Sequence, residues 1–96
     1  MFIFYSIHFP HPGKEALLAQ SMHEYGSLMQ QQPGNIFQAP YPFKDPDKGT
    51  LMGVSIWESE EAFQAALPIL QSARQQSPAQ DLEIKPPEVY LLNSTS

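Results

Sequence analysis

The chain contains no cysteine. That absence excludes a disulfide framework, a thiolate zinc site and a cysteine nucleophile, and it suits a reducing cytoplasm, where we expect the protein to reside. Basic side chains are scarce: Lys14, Lys44, Lys48, Arg74 and Lys85 stand against ten acidic residues, giving a net charge of −5. Phosphate backbones are held by clustered Lys and Arg, and these five form no cluster, so nucleic acid is not an expected partner. No apolar run approaches the roughly 20 residues of a membrane-spanning helix, so no membrane partner is expected. The apolar stretch 1–9 has no basic residue ahead of it and no small-residue cleavage site, and reads as a strand rather than a signal. Three histidines without an i, i+4 pair or a dense carboxylate cluster give no basis for a metal site. No glycine-rich phosphate loop, internal repeat or low-complexity tract occurs.

What is present reads as one domain, 1–96. A chain this short buries only roughly 60 to 65% of its unfolded surface, so a partner chain would help it. Residues 2–9 are apolar or aromatic on both parities, with Phe2, Phe4, Ser6 and His8 on one side and Ile3, Tyr5, Ile7 and Phe9 on the other. Such a strand is covered on both faces. After Pro12-Gly13 a helix follows, with Leu17, Leu18, Met22, Tyr25, Leu28 and Met29 at three- and four-residue spacing, and Pro33-Gly34 ends it. Ile36 to Phe43 is extended but holds Pro40 and Pro42, which places it at a sheet edge. Lys44 to Gly49 has the chemistry of a turn.

The most informative stretch is Val54 to Phe63, where an alternating strand ends on the only tryptophan, Trp57, and passes into a helix. Ser59 is suited to cap that helix, and Glu60 and Glu61 set negative charge at the positive end of its dipole. The helix carries an apolar stripe through Ala62, Phe63, Ala66, Leu67, Ile69, Leu70 and Ala73 but holds Pro68, where a kink or a restart is expected. Residues 75–85 are polar and irregular, and Val89 to Leu92 read as a fourth strand.

The order βαββαβ is that of an α+β ferredoxin-like plait, an antiparallel sheet with strands one and three at its centre and both helices on one face. Two helices cover one face only, yet the first strand is apolar on both. A second copy, sheet against sheet, is the expected cover, pairing two plaits into a dimeric α+β barrel.

The first strand running into His11-Pro12-Gly13-Lys14, the Pro33-Gly34 pair, and above all Trp57-Glu58-Ser59-Glu60-Glu61-Ala62-Phe63 give a pattern over nearly the whole chain that resembles the antibiotic biosynthesis monooxygenase-like family of dimeric α+β barrels. The resemblance implies a small-molecule ligand and a choice among chemistries. The haem-degrading branch pairs a strand-one asparagine and the strand-three tryptophan with a histidine near the end of the second helix. Here Ser6 stands at the asparagine position and the helix ends Ser72-Ala73-Arg74-Gln75, so that chemistry is disfavoured. The cofactor-free branch remains, implying no cofactor: the substrate, as a phenolate or enolate, gives an electron to dioxygen, and the protein supplies a dry pocket and a proton acceptor.

On this reading a small aromatic or quinol-like molecule lies between sheet and helices, against Phe4, Ser6, Tyr25 and Trp57, with His23 or His8 as proton acceptor. His23 is preferred, because it borders the apolar stripe of the first helix; a flank position half in water is its other reading. Trp57 is either a pocket wall or a plug between sheet and helix. His8 and Trp57 lie at opposite strand ends, about 20 Å apart at 3.3 Å per residue, so they are not expected to share a substrate. No Ser-His-Asp order is apparent. The alternative function is a non-catalytic dimeric module that binds a small ligand. An enzyme needs an open pocket of roughly 300 Å³ or more with a titratable group facing it.

Overall fold

The computed structural model describes residues 1–77 and 79–95. Its elements are β1 (Phe2–His8), α1 (Glu15–Gln30), β2 (Asn35–Gln38), β3 (Phe43–Lys44), β4 (Leu51–Trp57), α2 (Glu60–Gln76), α3 (Ala79–Leu82) and β5 (Glu88–Asn93). The sheet is antiparallel with the order β2-β4-β1-β5, and β3 also pairs with β4. The first strand and the tryptophan-bearing strand are therefore central, and the helices pack on one face, as in a ferredoxin-like plait.

Two local expectations are corrected. The edge segment from Ile36 to Phe43 is not one strand but two, because Pro40 and Pro42 remove ladder donors in the gap between β2 and β3. The second helix neither stops nor restarts at Pro68. Pro68 is exposed, while Phe63, Ala66 and Leu70 on the opposite side are buried, so packing of the apolar stripe holds the helix across the missing N–H. Its start follows the capping argument: the Ser59 Oγ accepts from the Ala62 N–H at 3.1 Å. Gly34, at φ +88°, supports the same junction, since a Cβ there would fall 2.5 Å from that of Ala62.

Register separates the two faces. Phe2 opposes Trp57 and His8 opposes Leu51 across the central pair. At the Phe2 end, Phe2, Met29, Trp57, Phe63, Ala66 and Leu70 form the buried core, with Trp57 at 0% exposure and edge-on to Phe63 at 5.5 Å. The Trp57 indole N–H donates to the Ser55 Oγ at 2.9 Å, which satisfies the polar edge that burial would otherwise leave unpaired. The opposite face presents Ile3, Tyr5, Ile7, Met52, Val54 and Ile56 from the central strands, and no helix among the described residues packs on it. Tyr5 and Tyr90 stack there at 4.7 Å, and Phe37, Phe43 and Leu92 are exposed. No helix among the described residues is long and apolar enough to cross a membrane.

The polar stretch between α2 and β5 is less irregular than its sequence suggests. Beyond the single turn of α3, the His11 N–H donates to the Leu82 carbonyl at 2.9 Å and the Ile84 N–H to the Phe9 carbonyl at 2.7 Å. These bonds extend the edge of β1 and fix Glu83 beside His8.

Candidate functional site

Away from the aromatic core, at the His8 end of the sheet, the space between sheet and α1 is unfilled. Gly53 in the central strand makes the room: a side chain there would begin 3.3 Å from the Met22 Cε and 3.6 Å from the Ser6 Oγ. The resulting cavity is about 90 Å³ and is walled by Phe4, Leu18, Met22 and Tyr25. Arg74, Gln80, Glu83 and Pro87 border both this cavity and a neighbouring cleft of about 440 Å³, so the two adjoin. The inner cavity alone falls below the size expected of an enzyme pocket, and the adjoining cleft exceeds it. A volume of 90 Å³ admits about three waters, or one small planar group.

Three polar side chains in the cavity form a chain. The His8 Nε2 lies 2.8 Å from the Ser6 Oγ and its Nδ1 2.9 Å from the Glu83 Oε1. An ionised carboxylate only accepts hydrogen bonds, so Nδ1 carries the proton and donates to Glu83. In the neutral ring Nε2 is then a lone pair that accepts the Ser6 hydroxyl proton. This leaves the Ser6 oxygen lone pairs directed to the cavity, with a base behind the hydroxyl and a carboxylate behind the base. The His8 side chain is 16% exposed and that of Glu83 6%, so water screens the pair weakly.

Around this relay stand three further groups. Tyr25 lines the cavity, and burial pushes its phenol above the ordinary tyrosine range while the Arg74 guanidinium pulls the other way. Desolvation dominates, so Tyr25 is a neutral phenol at pH 7. Gln38, 9% exposed, donates from Nε2 to the Ala39 carbonyl at 3.2 Å, and its Oε1 has no partner among the described residues. Gln38 borders the cavity, but that oxygen is itself enclosed and does not open onto it. Arg74 borders cavity and cleft and makes no ion pair among the described residues, which leaves it open to an anionic ligand group.

Of the residues singled out from the sequence, the structure brings Phe4, Ser6, His8 and Tyr25 together on the cavity. Trp57 is not on it; the residue sits in the core at the far end of the sheet, the plug rather than the wall. His23 does not border the cavity either. Its ring lies flat on Tyr41 at 4.1 Å and its Nδ1 donates to the Pro40 carbonyl, tying α1 to the loop between β2 and β3. Glu83, Gln38 and Arg74 were missed. Glu83 lies in a stretch with neither strand nor helix periodicity, and only the backbone bridge to β1 gives it a place. Among the described residues no group of three or more His, Asp or Glu could hold a metal ion.

No family model and no curated protein matches the sequence. Solved structures do match in fold. The Mycobacterium tuberculosis protein Rv0793 superposes with a TM-score of 0.80 at 16% identity, over 99% of this chain and 95% of its own. A Deinococcus radiodurans protein provisionally named an antibiotic biosynthesis monooxygenase gives 0.81 at 15% identity, over 100% and 94%. A single-residue variant of SnoaB from Streptomyces nogalater, a cofactor-independent oxygenase, gives 0.79 at 17% identity, over 99% and 93%. The chain thus has the antibiotic biosynthesis monooxygenase-like fold that its sequence pattern resembles.

Proposed function

We propose that the protein is a cofactor-independent monooxygenase acting on a small aromatic or quinol-like molecule, with the Ser6-His8-Glu83 relay as proton acceptor. The observation that carries this reading is His8, whose lone pair is directed at a hydroxyl on the cavity and whose other nitrogen is held by a buried carboxylate. A phenol or enol O–H of the ligand donates to the Ser6 oxygen while the Ser6 proton moves to the His8 Nε2, and Glu83 stabilises the imidazolium. Arg74 lies beside the anion so formed. That anion gives one electron to dioxygen, and recombination of the two radicals forms a carbon–oxygen bond. Loss of water from the peroxide leaves a carbonyl, so a ring methylene and one O₂ yield a ketone and one H₂O. SnoaB, described as a cofactor-independent oxygenase, shares the fold and supports the class of reaction.

A binding module without catalysis is the weaker reading, because an apolar carrier site has no use for a base backed by a carboxylate. The apolar open face of the sheet supports a homodimer through that face, which would complete the barrel. Oxygen uptake with a panel of hydroquinones and anthrones is the test. It should fall at least tenfold in His8→Ala and hold in His23→Ala. Loss in the second variant with retention in the first would reject the assignment.

A further inference from the structure

We propose that Ser6 is a nucleophile, and that the same cavity transfers small acyl groups from aryl esters to water. This inference does not rest on the oxygenation reading. Hydroxyl, imidazole and carboxylate stand in the order and contact that acyl transfer uses on several unrelated folds: Ser6 Oγ to His8 Nε2 at 2.8 Å, His8 Nδ1 to Glu83 Oε1 at 2.9 Å. The proton positions argued above are those an activated serine needs. Ser6 is 6% exposed and borders the cavity, and Gly53 beside it adds no side chain, where a Cβ would stand 3.6 Å from the Ser6 Oγ. The volumes suit an ester divided in two: an acyl group of a few heavy atoms fits the 90 Å³ cavity, and an aryl leaving group fits the 440 Å³ cleft. Arg74 borders both compartments, which sets one cation at the boundary that such an ester would span.

The Ser6 oxygen attacks the ester carbonyl carbon as its proton passes to the His8 Nε2. The tetrahedral adduct collapses, the carbon–oxygen bond to the aryl group breaks, and the leaving oxygen takes that proton. A water then gives its proton to the His8 Nε2 and attacks the acyl-serine, releasing the carboxylic acid and restoring the hydroxyl. One ester and one water give one acid and one phenol.

The decisive probe is a small alkyl fluorophosphonate, which forms a phosphorus–oxygen bond to an activated serine with loss of fluoride. Intact mass should rise by one adduct per chain, and peptide mapping should place it on Ser6. The labelling rate should fall at least 100-fold in His8→Ala, and the adduct should vanish in Ser6→Ala. Circular dichroism checks that each variant is folded, and wild-type protein alone keeps the proposal testable: 4-nitrophenyl acetate should give a burst of one 4-nitrophenolate per chain. No adduct on Ser6 in the wild type, or labelling of Ser6 at an undiminished rate in a folded His8→Ala, overturns it. Oxygen uptake is a separate assay, so either reading can fail alone.

Discussion

Glu83→Gln is the sharpest perturbation of the relay, because it preserves shape and removes one charge. In the wild type the carboxylate accepts from the His8 Nδ1–H at 2.9 Å with only 6% of the Glu83 side chain exposed. A hydrogen bond to a charged partner is worth roughly 1.5–3 kcal/mol and a neutral one about 1. The amide therefore forfeits about 1 kcal/mol net, once the relief of burying no carboxylate is set against the lost charge. For a chain of this length that lowers the melting temperature by roughly 4–8 °C. Turnover should suffer more. The amide no longer stabilises the imidazolium, and its NH₂ can face Nδ1 and move the ring proton to Nε2, which turns the base into a donor; a loss of 10²-fold or more is expected. Oxygen uptake and phosphonylation rate measure the first effect, and ¹⁵N shifts of the His8 ring report the tautomer. A variant with the expected fall in melting temperature but both rates within twofold of wild type would make Glu83 a clamp between β1 and the following loop, and would refute the relay.

The remaining predictions divide between core, open face and cavity. Trp57→Ala removes a fully buried indole and its bond to Ser55, so urea denaturation should show a loss of roughly 3–5 kcal/mol, while a cavity ligand should bind the folded fraction unchanged. Val54→Lys puts a charge in the middle of the open sheet face; if two copies pair there, sedimentation should turn from dimer to monomer, and a dimer in both proteins would place the interface elsewhere. The Tyr25 phenol is held above its ordinary 10.0, so the folded state keeps that proton longer than the unfolded one. Its contribution is fully present below pH 10 and is lost as pH rises through the raised value. Ultraviolet titration should show Tyr25 and Tyr90 ionising late, the second because of the Glu88 charge beside it, and only the Tyr25 step should move later still in Arg74→Gln, where the opposing charge is gone. Gln38→Leu removes the orphaned acceptor, so urea denaturation should show a protein at least as stable as the wild type; a loss above about 1 kcal/mol would refute the unpaired state of that oxygen.

The fold was largely legible because each element carries a local signal. Double apolar parity marked β1 as central, Ser59 with two glutamates marked the start of α2, and the proline pair marked an edge. What failed was finer: of the kink and the restart expected at Pro68, the restart does not occur, because the buried stripe on the other side holds the helix together. The site was half legible. Phe4, Ser6 and His8 share a parity and Tyr25 shares the helix stripe, so periodicity placed them together. Glu83 is 75 positions from His8 and sits between elements, and no pattern points to it. His23 misled for the opposite reason, since a helix-flank position has the right period but its ring is captured by Tyr41 and Pro40.

The two ends of the central strand pair perform different work, and the side chains opposite each other show why. At the Phe2 end, large rings meet: Phe2, Phe63 and Trp57 fill the layer between sheet and helix, and the indole N–H is satisfied within the core by Ser55. Four positions on from Phe2, Ser6 faces Gly53, and the layer empties. Replacing that glycine by a large residue would extend the core and close the cavity, so the space depends on one missing side chain. Between the two ends, level with Ser55, the Gln38 oxygen stays unpaired, at a cost of about 1–3 kcal/mol that a leucine would avoid. A short chain has little stability to lose, of the order of 5–14 kcal/mol at this length. An open floor and an imidazole–carboxylate pair largely shielded from water at one end, while rings fill the other, are what a proton-transfer site requires and a core does not.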